Sequence, residues 1–577
     1  MKSLLIGNEA IARGAWEAGC TVATAYPGTP STEITEMIAK YDDIYSEWSP
    51  NEKVSLEVAI GASIAGARAM ASMKHVGLNV AADPLFTASY TGVNGGLVIV
   101  VADDPGMHSS QNEQDSRNYA RASKVPMLEP SDSQECKDFM KEAFTLSEVF
   151  DTPVIVRLST RVSHSLTVVE LGEKEDYKIK DYVKDMNKYV MMPAMARARH
   201  VVVERRMEAL RGFADSTDLN EITWGDRKIG IITSGIAYQY VKEALPGASV
   251  LKLGMVYPMP DELIKEFAAG IETLYAFEEL EPFIEEHVKT LGIQIVGKEL
   301  FSIMGELNAH LIKEKILGVD SEIAQQGEQI PVRPPVMCPG CPHRGMFYVL
   351  KKLKLIVSGD IGCYTLGALS PTDSMDACVC MGASIGMAHG FDKARGYDFS
   401  KKTVAILGDS TFIHSGITGL IDVVYNKGFS TVIILDNSIT GMTGHQQNPS
   451  TGKTIKGEDA PKVDFVKLAE AVGVRRIKTC DPFDVKGLEA ILKEELEAKE
   501  PSVIITQRPC ALLKSVMQGA IHHIDQKKCT QCKACLRIGC PSIVLKGDKI
   551  EINGALCFGC DLCTSMCKFD AIKGEGE

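Results

Sequence analysis

The sequence predicts a multidomain α/β protein with a small, cysteine-rich α+β domain at its C-terminal end. Two long segments predict the α/β part, because apolar strand-like runs alternate in them with Ala- and Gly-rich helical runs, as in a parallel sheet covered on both faces. The tail stands apart because eight of the 17 cysteines lie between residues 529 and 567. A chain of 577 residues is also too long for one hydrophobic core, so we expect several domains.

The composition argues against some classes of function. The formal net charge is −13 and no basic stretch is present, which argues against a nucleic-acid-binding protein. No apolar run reaches the length of a membrane span, and the sequence that follows Met1 shows no export signal. Seventeen cysteines without an export signal indicate a reducing compartment and metal-ligand use, so we expect a cytoplasmic protein that binds no membrane.

In the first α/β segment, residues 1–165, two predicted strands end in polar loops. The strand at residues 21–25 leads into Tyr-Pro-Gly-Thr-Pro-Ser at residues 26–31, at the carboxyl edge of the sheet, where such folds bind ligands. The strand at residues 97–102 leads into a long polar loop at residues 103–114, and loops of this length are often functional. We therefore expect a binding site at this edge.

Four further segments complete the predicted organisation. Residues 166–226 are charged and Met-rich, which indicates a linker with some helix of its own. Residues 227–325 restart the βα pattern, and a small α/β domain that mediates assembly is the favoured interpretation. Residues 335–515 form the second large α/β segment, and residues 520–577 form the cysteine-rich tail.

Two oxygen-bearing side chains follow neighbouring strands of the second large segment. Asp409 lies at the end of the strand predicted from residue 403, and Asn437 lies at the end of the next strand, predicted at residues 431–437. Magnesium prefers octahedral oxygen ligands and keeps phosphate oxygens among them. Asp409, Asn437 and the backbone carbonyl of Ile439 supply three ligands, which leaves positions for two oxygens of a diphosphate and a water.

The cysteine-rich tail has the spacing of a protein that binds two [4Fe–4S] clusters. Two runs of Cys-x-x-Cys-x-x-Cys are each followed by a fourth cysteine, which in such proteins binds the cluster of the other run. The rule predicts one set of Cys529, Cys532, Cys535 and Cys567, and one of Cys557, Cys560, Cys563 and Cys540. Four residues instead of three precede Cys540, and Lys568 replaces the usual proline, but no ligand is lost. Disulfides and zinc are the alternatives, although zinc sites use four ligands in two pairs.

Five motifs together resemble those of one enzyme family. They are Tyr26 to Ser31, Cys338-Pro-Gly-Cys341-Pro-His343-Arg344, Gly359-Asp360-Ile-Gly-Cys363-Tyr364, Gly408-Asp409-Ser410 with Asn437, and the two-cluster tail. The fourth resembles the thiamine-diphosphate fingerprint Gly-Asp-Gly to Asn-Asn, with one substitution at each end. In this order the motifs resemble the large (alpha) subunits of the 2-oxoacid:ferredoxin oxidoreductase family, most closely those of the indolepyruvate type.

The resemblance implies a domain order and a set of cofactors. It implies two thiamine-diphosphate-binding-type parallel-sheet domains at residues 1–165 and 335–515, a transketolase C-terminal-like domain at residues 227–325 and a ferredoxin domain at residues 520–577. It also implies thiamine diphosphate, Mg²⁺ and a third [4Fe–4S] cluster near thiamine. The implied ligands of that cluster are Cys338, Cys341, Cys363 and Cys510, and the further implied cofactor contacts are Gly362, Tyr364, Gly408 and Ser410.

The cysteines outside the tail also have structural interpretations. Buried structural thiols are the alternative for Cys363 and Cys510. The remaining five are predicted to be core residues: Cys20, Cys136, Cys378, Cys380 and Cys480. His108 and His343 lie in motif loops and receive no role.

Four residues of the first segment are candidates for contact with cofactor or substrate. Glu57 matches the family's position for the carboxylate beside the aminopyrimidine ring, a role that requires a buried side chain with a raised pKa. The alternative is an ordinary solvated glutamate, like Glu52 nearby. Thr29 is expected to contact the cofactor or the keto acid. The substrate carboxylate needs a cation, for which Arg117 and Arg121 are candidates, although either could instead form a surface ion pair.

The resemblance implies oxidative decarboxylation of aryl 2-oxoacids such as indolepyruvate. Coenzyme A and oxidised ferredoxin are the implied co-substrates, and aryl-acetyl-CoA, CO₂ and reduced ferredoxin the products. Two alternatives stay open: a non-redox thiamine-diphosphate decarboxylase or lyase with an accessory electron-carrier domain, and an electron-transfer subunit alone. The family also implies a smaller beta (gamma-type) subunit as partner, with two copies of each subunit.

Overall fold

The structure is a computed structural model that describes residues 1–319, 331 and 334–574. The chain divides into two compact units, residues 1–327 and residues 328–577. Each unit contains a sheet of mainly parallel strands with helices between them, so the predicted multidomain α/β architecture is confirmed. The described residues contain no helix with the length and apolar character that crossing a membrane requires.

The first unit contains thirteen strands and fourteen helices among its described residues. The strands are β1 (Lys2–Ile6), β2 (Val22–Ala25), β3 (Tyr45–Trp48), β4 (Ala69–Lys74), β5 (Leu97–Asp103), β6 (Met127–Leu128), β7 (Val154–Ser159), β8 (Leu166–Glu170), β9 (Asn220–Thr223), β10 (Asp226–Ser234), β11 (Ala248–Leu253), β12 (Met255–Tyr257) and β13 (Thr273–Phe277). The helices are α1 (Gly7–Glu17), α2 (Thr32–Ile38), α3 (Glu52–Ile64), α4 (His75–Val80), α5 (Ala82–Thr91), α6 (Arg117–Ser123), α7 (Ser133–Phe150), α8 (Thr160–His164), α9 (Met186–Tyr189), α10 (Pro193–Ala214), α11 (Gly235–Ala244), α12 (Asp261–Ala269), α13 (Phe283–Thr290) and α14 (Ala309–Leu317).

The main sheet of the first unit has seven strands in the order β12-β6-β7-β5-β4-β2-β3. All neighbours are parallel except β12, which pairs antiparallel with β6. Every residue of β4 and β5 is buried, as expected for central strands of a parallel sheet covered on both faces. Alternate residues of β5 enter two different hydrophobic clusters, Val98 and Val100 on one face and Ile99 and Val101 on the other.

A second, four-stranded sheet has the order β13-β10-β11-β9. Its strands β10, β11 and β13 are parallel, as the βα pattern of this segment predicts, and β9 joins them antiparallel. The strand after β11, β12, leaves this sheet and extends the seven-stranded one. A further two-stranded sheet pairs β1 with β8. The segment that follows β8 contains the long helix α10.

The second unit contains a five-stranded parallel sheet in the order β14-β15-β16-β18-β17. Its strands are β14 (Ile356–Ser358), β15 (Thr403–Gly408), β16 (Thr431–Asp436), β17 (Arg476–Cys480) and β18 (Ser502–Gln507). Its helices are α15 (His343–Leu353), α16 (Ala383–Arg395), α17 (Tyr397–Ser400), α18 (Asp409–Thr411), α19 (Ile417–Tyr425), α20 (Phe465–Ala471) and α21 (Val485–Leu496), with a 3₁₀ helix at Cys363–Ala368 and a π turn at Phe412–Gly416. In the pairing register Gly408 lies opposite Leu435, which brings the ends of β15 and β16 side by side.

The cysteine-rich tail forms two antiparallel strand pairs. They are β19 (His522–Ile524) with β22 (Ile572–Gly574), and β20 (Ile543–Lys546) with β21 (Lys549–Ile552). A 3₁₀ helix at Ala534–Ile538 and a short helix, α22 (Leu562–Met566), lie in the two cysteine runs. The tail is therefore small and of α+β type.

Candidate active site

Four loops at the carboxyl edge of the seven-stranded sheet form the candidate site of the first unit. β2 leads into residues 26–31, β3 towards α3, β4 into α4, and β5 into the polar loop of residues 103–114. Because these four strands are parallel, their carboxyl ends share one edge, where α/β proteins bind ligands. Thr29 lies in the first loop and is partly exposed, so it remains a candidate contact for a ligand.

The burial expected of Glu57 belongs instead to Glu52. The side chain of Glu57 is 45% exposed and pairs with Lys53 one helical turn away. Glu52, the first residue of α3, is only 5% exposed. A methyl group built on Gly77 would lie 2.7 Å from Oε1 of Glu52, so this carboxylate packs directly against the start of α4. The structure therefore contradicts the expected burial of Glu57.

Helical periodicity explains why Glu52 is buried and Glu57 is exposed. The buried positions of α3 are Glu52, Ser55, Leu56, Ala59 and Ser63, which recur every three or four residues and define one face. Position 57 lies off that face. The same spacing is visible in the sequence and is the signal by which Glu52 could have been found.

Lys74 is a buried cation at this edge that the sequence reasoning missed. It ends β4, is 7% exposed, and donates a hydrogen bond from Nζ to the backbone carbonyl of Ser109 in the polar loop. Burial lowers the pKa of Lys74 to about 8, although the charge of Asp104 opposes this shift. Asp104 itself accepts hydrogen bonds from Ser109 N at 2.8 Å and Thr160 Oγ1 at 2.7 Å.

Arg117 does not have the free guanidinium that binding a substrate carboxylate requires. It is 1% exposed and forms ion pairs with Asp115 and Glu278, each at 2.6 Å. The same guanidinium donates to the carbonyl oxygens of Glu279 and Glu281 at 2.9 and 3.1 Å. The geometry therefore argues against this predicted role, because Arg117 joins α6 to the end of β13. The other candidate, Arg121, is 54% exposed and lies 3.9 Å from Glu286.

In the second unit, Asp409 and Asn437 lie at adjacent strand ends, as predicted. Asp409 begins α18 directly after β15, and Asn437 directly follows β16. Asp409 Oδ1 accepts from the backbone N–H of Ser410 at 2.8 Å, and Oδ2 accepts from Ser450 Oγ at 3.1 Å. Burial, followed by the nearby charge of Asp436, raises the pKa of Asp409 to about 7. A buried carboxylate beside a second acidic group fits a divalent cation. The cation would offset both the cost of burying the negative charge and the repulsion between the two acidic groups.

The predicted cofactor contacts around Tyr364 pack together. Methyl groups built on Gly362 and Gly408 would lie 2.4 and 2.8 Å from Cε1 of Tyr364, so only glycine fits at either position. The hydroxyl of Tyr364 donates to the carbonyl of Ile361 at 2.6 Å and lies 2.9 Å from Thr411 Oγ1. Tyr364 therefore fixes the loop that approaches the start of α18.

The four cysteines predicted to hold a third cluster lie near one another. Burial raises the pKa of Cys363 to about 11, and the thiols of Cys510 and Cys338 add to the shift. Burial likewise raises the pKa of Cys341, with contributions from Cys363 and Cys338. The backbone N–H of Cys510 donates to the carbonyl of Asn437 at 2.9 Å. This bond joins the predicted cluster ligands to a predicted magnesium ligand.

The tail cysteines group as the spacing predicts. Burial is the main cause that raises the pKa of Cys535, and the thiols of Cys529, Cys532 and Cys567 raise it further. Burial likewise raises the pKa of Cys563, and the thiols of Cys560, Cys540 and Cys557 raise it further. Backbone N–H groups of His522 and Ala571 point at the sulfurs of Cys557 and Cys567, each at 3.4 Å.

The proximity of these thiols is in line with both tail ligand sets and with the third set. Among the described residues, no group of three or more His, Cys, Asp or Glu side chains is arranged so that it could hold a metal ion. All twelve cysteine ligands therefore stay predictions.

Of the five cysteines predicted to be core residues, Cys20 and Cys136 are fully buried, but Cys380 is exposed, which corrects that prediction. Cys378 and Cys480 are half-buried. His343 is buried, and burial lowers its pKa to about 4. His108 pairs with Glu306 at 3.1 Å.

Comparison with known proteins agrees with this geometry. Residues 13–215 match the family model of pyruvate flavodoxin/ferredoxin oxidoreductase, thiamine-diphosphate-binding, and residues 360–506 match that of the C-terminal TPP-binding domain of thiamine pyrophosphate enzymes. The indolepyruvate oxidoreductase subunit IorA of Archaeoglobus fulgidus is 41% identical, over 99% of this chain and 97% of that protein. The protein of the same name from Pyrococcus horikoshii is 41% identical, over 100% and 98%. The chain therefore belongs to the thiamine-diphosphate-dependent 2-oxoacid:ferredoxin oxidoreductases, among the IorA subunits of indolepyruvate oxidoreductase.

Proposed function

We propose that this chain oxidatively decarboxylates aryl 2-oxoacids of the indolepyruvate type. Coenzyme A and oxidised ferredoxin are the co-substrates, and aryl-acetyl-CoA, CO₂ and reduced ferredoxin the products. Each turnover releases two electrons, which reduce two one-electron ferredoxins, and one proton, which passes to the solvent. The observation that supports this best is the hydrogen bond from Cys510 N to the carbonyl of Asn437, because it connects a cofactor ligand to a cysteine set that can accept electrons.

The second unit would hold the diphosphate end of the cofactor. Asp409, Asn437 and the carbonyl of Ile439 are the proposed Mg²⁺ ligands, with Gly408 and Ser410 beside them. Bound thiamine diphosphate supplies the electron sink that decarboxylation of a 2-oxoacid needs. The chain's own contribution is to orient the cofactor and to exclude water from a buried edge: Asp409 is 3% exposed and Asn437 7%.

In the first unit, we propose Glu52 in place of Glu57 as the carboxylate that shares a proton with the aminopyrimidine ring. The role requires a carboxyl group held away from water, since burial favours the protonated form. Glu52 meets this requirement and lies just beyond the carboxyl end of β3. Glu57 does not meet it, because its side chain faces solvent and pairs with Lys53.

Electrons would leave through three [4Fe–4S] clusters. One set is Cys338, Cys341, Cys363 and Cys510; the others are the two tail sets, Cys529, Cys532, Cys535 and Cys567, and Cys557, Cys560, Cys563 and Cys540. Since such clusters are stable under reducing conditions, we place the reaction in the cytoplasm. The relatives are named as subunits, so we propose a smaller beta (gamma-type) partner, with two copies of each chain.

Anaerobic reduction of a low-potential dye tests this function. The complex with its partner, supplied with Mg²⁺ and thiamine diphosphate, should reduce the dye only when indolepyruvate and coenzyme A are both present. Release of an aldehyde without dye reduction would instead identify a non-redox lyase. Failure to bind thiamine diphosphate at equilibrium would leave only an electron-transfer subunit.

A further inference from the structure

Lys74 is a buried ammonium group with spare hydrogen-bonding capacity. An ammonium has three N–H donors, and burying one without compensating partners is costly. In the part of the chain that the structure describes, the hydrogen-bond acceptor of Nζ is one backbone carbonyl, that of Ser109. Asp104, whose charge acts on Lys74, already accepts hydrogen bonds from Ser109 N, Ser110 Oγ and Thr160 Oγ1. Lys74 therefore has donors available for an anion.

The loop that follows β2 and the helix α4 both lie beside Lys74. A methyl group built on Gly28 would lie 3.2 Å from Cβ of Lys74, so the loop that carries Thr29 runs along the aliphatic stem of the lysine. Lys74 also precedes α4, whose Gly77 packs against the buried carboxylate of Glu52. Lys74 directly before α4 and Glu52 packed against α4 therefore lie at the same edge of the sheet.

The other candidate cations of this edge are unsuitable. The guanidinium of Arg117 donates to the carboxylates of Asp115 and Glu278 and to two backbone carbonyls in a largely buried network. Arg121 is exposed and stacks on Phe283 at 5.1 Å. Lys74, in contrast, is buried at the loop that carries Thr29.

From this geometry we infer that Lys74 binds the carboxylate of the 2-oxoacid substrate, with the hydroxyl of Thr29 beside it. The inference rests on the proposed function, because it takes the substrate to be a 2-oxoacid. An ammonium held in a buried site recognises a carboxylate through charge-assisted hydrogen bonds. It discriminates against neutral analogues of the same shape, since those would leave the buried charge unpaired.

The test uses the complete complex, loaded anaerobically with clusters, Mg²⁺ and thiamine diphosphate. Lys74→Met keeps the length of the side chain and removes its charge. We expect the KM for indolepyruvate to rise about 10- to 100-fold, the range spanned by loss of one hydrogen bond to a charged group, while thiamine-diphosphate affinity stays unchanged. Arg121→Met is the matched control and should alter neither value.

Inhibitors separate recognition of charge from general damage. Lys74→Met should weaken inhibition by indole-acetate at least tenfold and leave inhibition by neutral indole-acetamide unchanged, and Lys74→Arg should restore part of the preference for the acetate. A KM within threefold of wild type, or equal weakening of both inhibitors, would overturn the inference. If Lys74→Met fails to assemble, Lys74→Gln decides, because it also removes the charge: loss of the preference for the acetate over the amide supports the inference, and a retained preference refutes it. A wild-type complex that oxidises no 2-oxoacid refutes the proposed function itself, which is a different result.

Discussion

The proposal that Glu52, and not Glu57, shares a proton with the cofactor can be tested by a matched pair of substitutions on one helix. Glu52→Gln and Glu57→Gln make the same isosteric change five residues apart, once at a side chain 5% exposed and once at one 45% exposed. A positioned acid or base contributes about 100- to 10,000-fold to a rate, or about 3–5 kcal/mol of transition-state stabilisation. We therefore expect Glu52→Gln to lower kcat by at least about 100-fold.

Glu57→Gln should change kcat by less than about twofold, because it removes only a solvent-exposed ion pair with Lys53. The assay is indolepyruvate- and coenzyme A-dependent dye reduction by the complex, with thiamine-diphosphate binding measured separately. Both variants should keep their fold, since the amide retains the shape of the carboxyl group. Loss of activity in Glu57→Gln together with near-normal activity in Glu52→Gln would refute the assignment and restore the family position predicted from the sequence.

Three further predictions concern other parts of the chain. Asp409→Asn should weaken Mg²⁺-dependent binding of thiamine diphosphate at least tenfold in equilibrium dialysis, and unchanged binding would remove Asp409 from the site. Cys510→Ser should lower the iron content from about twelve to about eight per chain by removing one cubane, with thiamine-diphosphate binding retained; unchanged iron would contradict the third ligand set. Burial raises the pKa of Glu279 to about 7, so its folded form holds a proton that the unfolded chain releases near pH 4.5. Stability should therefore fall by up to about 3 kcal/mol between pH 5 and 8, and chemical denaturation of Glu279→Gln should show a flatter pH profile.

The strands were predictable because their apolar runs are local signals. The runs at residues 97–102 and 403–408 correspond to β5 (Leu97–Asp103) and β15 (Thr403–Gly408). The edge strand β12 was not predictable, because it is only three residues long and pairs with β6, which is far away in sequence. Nothing in so short a run indicates which sheet it joins, and that choice depends on packing of the whole unit.

The site was predictable where a residue's position follows from a strand end, and not where it depends on a distant partner. Asp409 and Asn437 follow strands that the sequence shows, so their proximity could be foreseen. Arg117 forms an ion pair with Glu278, which is 161 residues away, and no sequence pattern relates the two residues. Lys74 was overlooked because lysine is rarely buried, and only the fold shows that the Gly28 loop covers its stem.

The contacts within the second unit also bring two of the three proposed cysteine sets together. Arg344, 3% exposed, donates to the carbonyl oxygens of Cys338 and Ile538 at 3.2 and 3.1 Å, so it joins the loop of the third set to the loop that leads to Cys540. A methyl group built on Gly340 would lie 2.7 Å from the ring of Phe558, the neighbour of Cys557. Both contacts join the Cys338 loop to the set of Cys557, Cys560, Cys563 and Cys540.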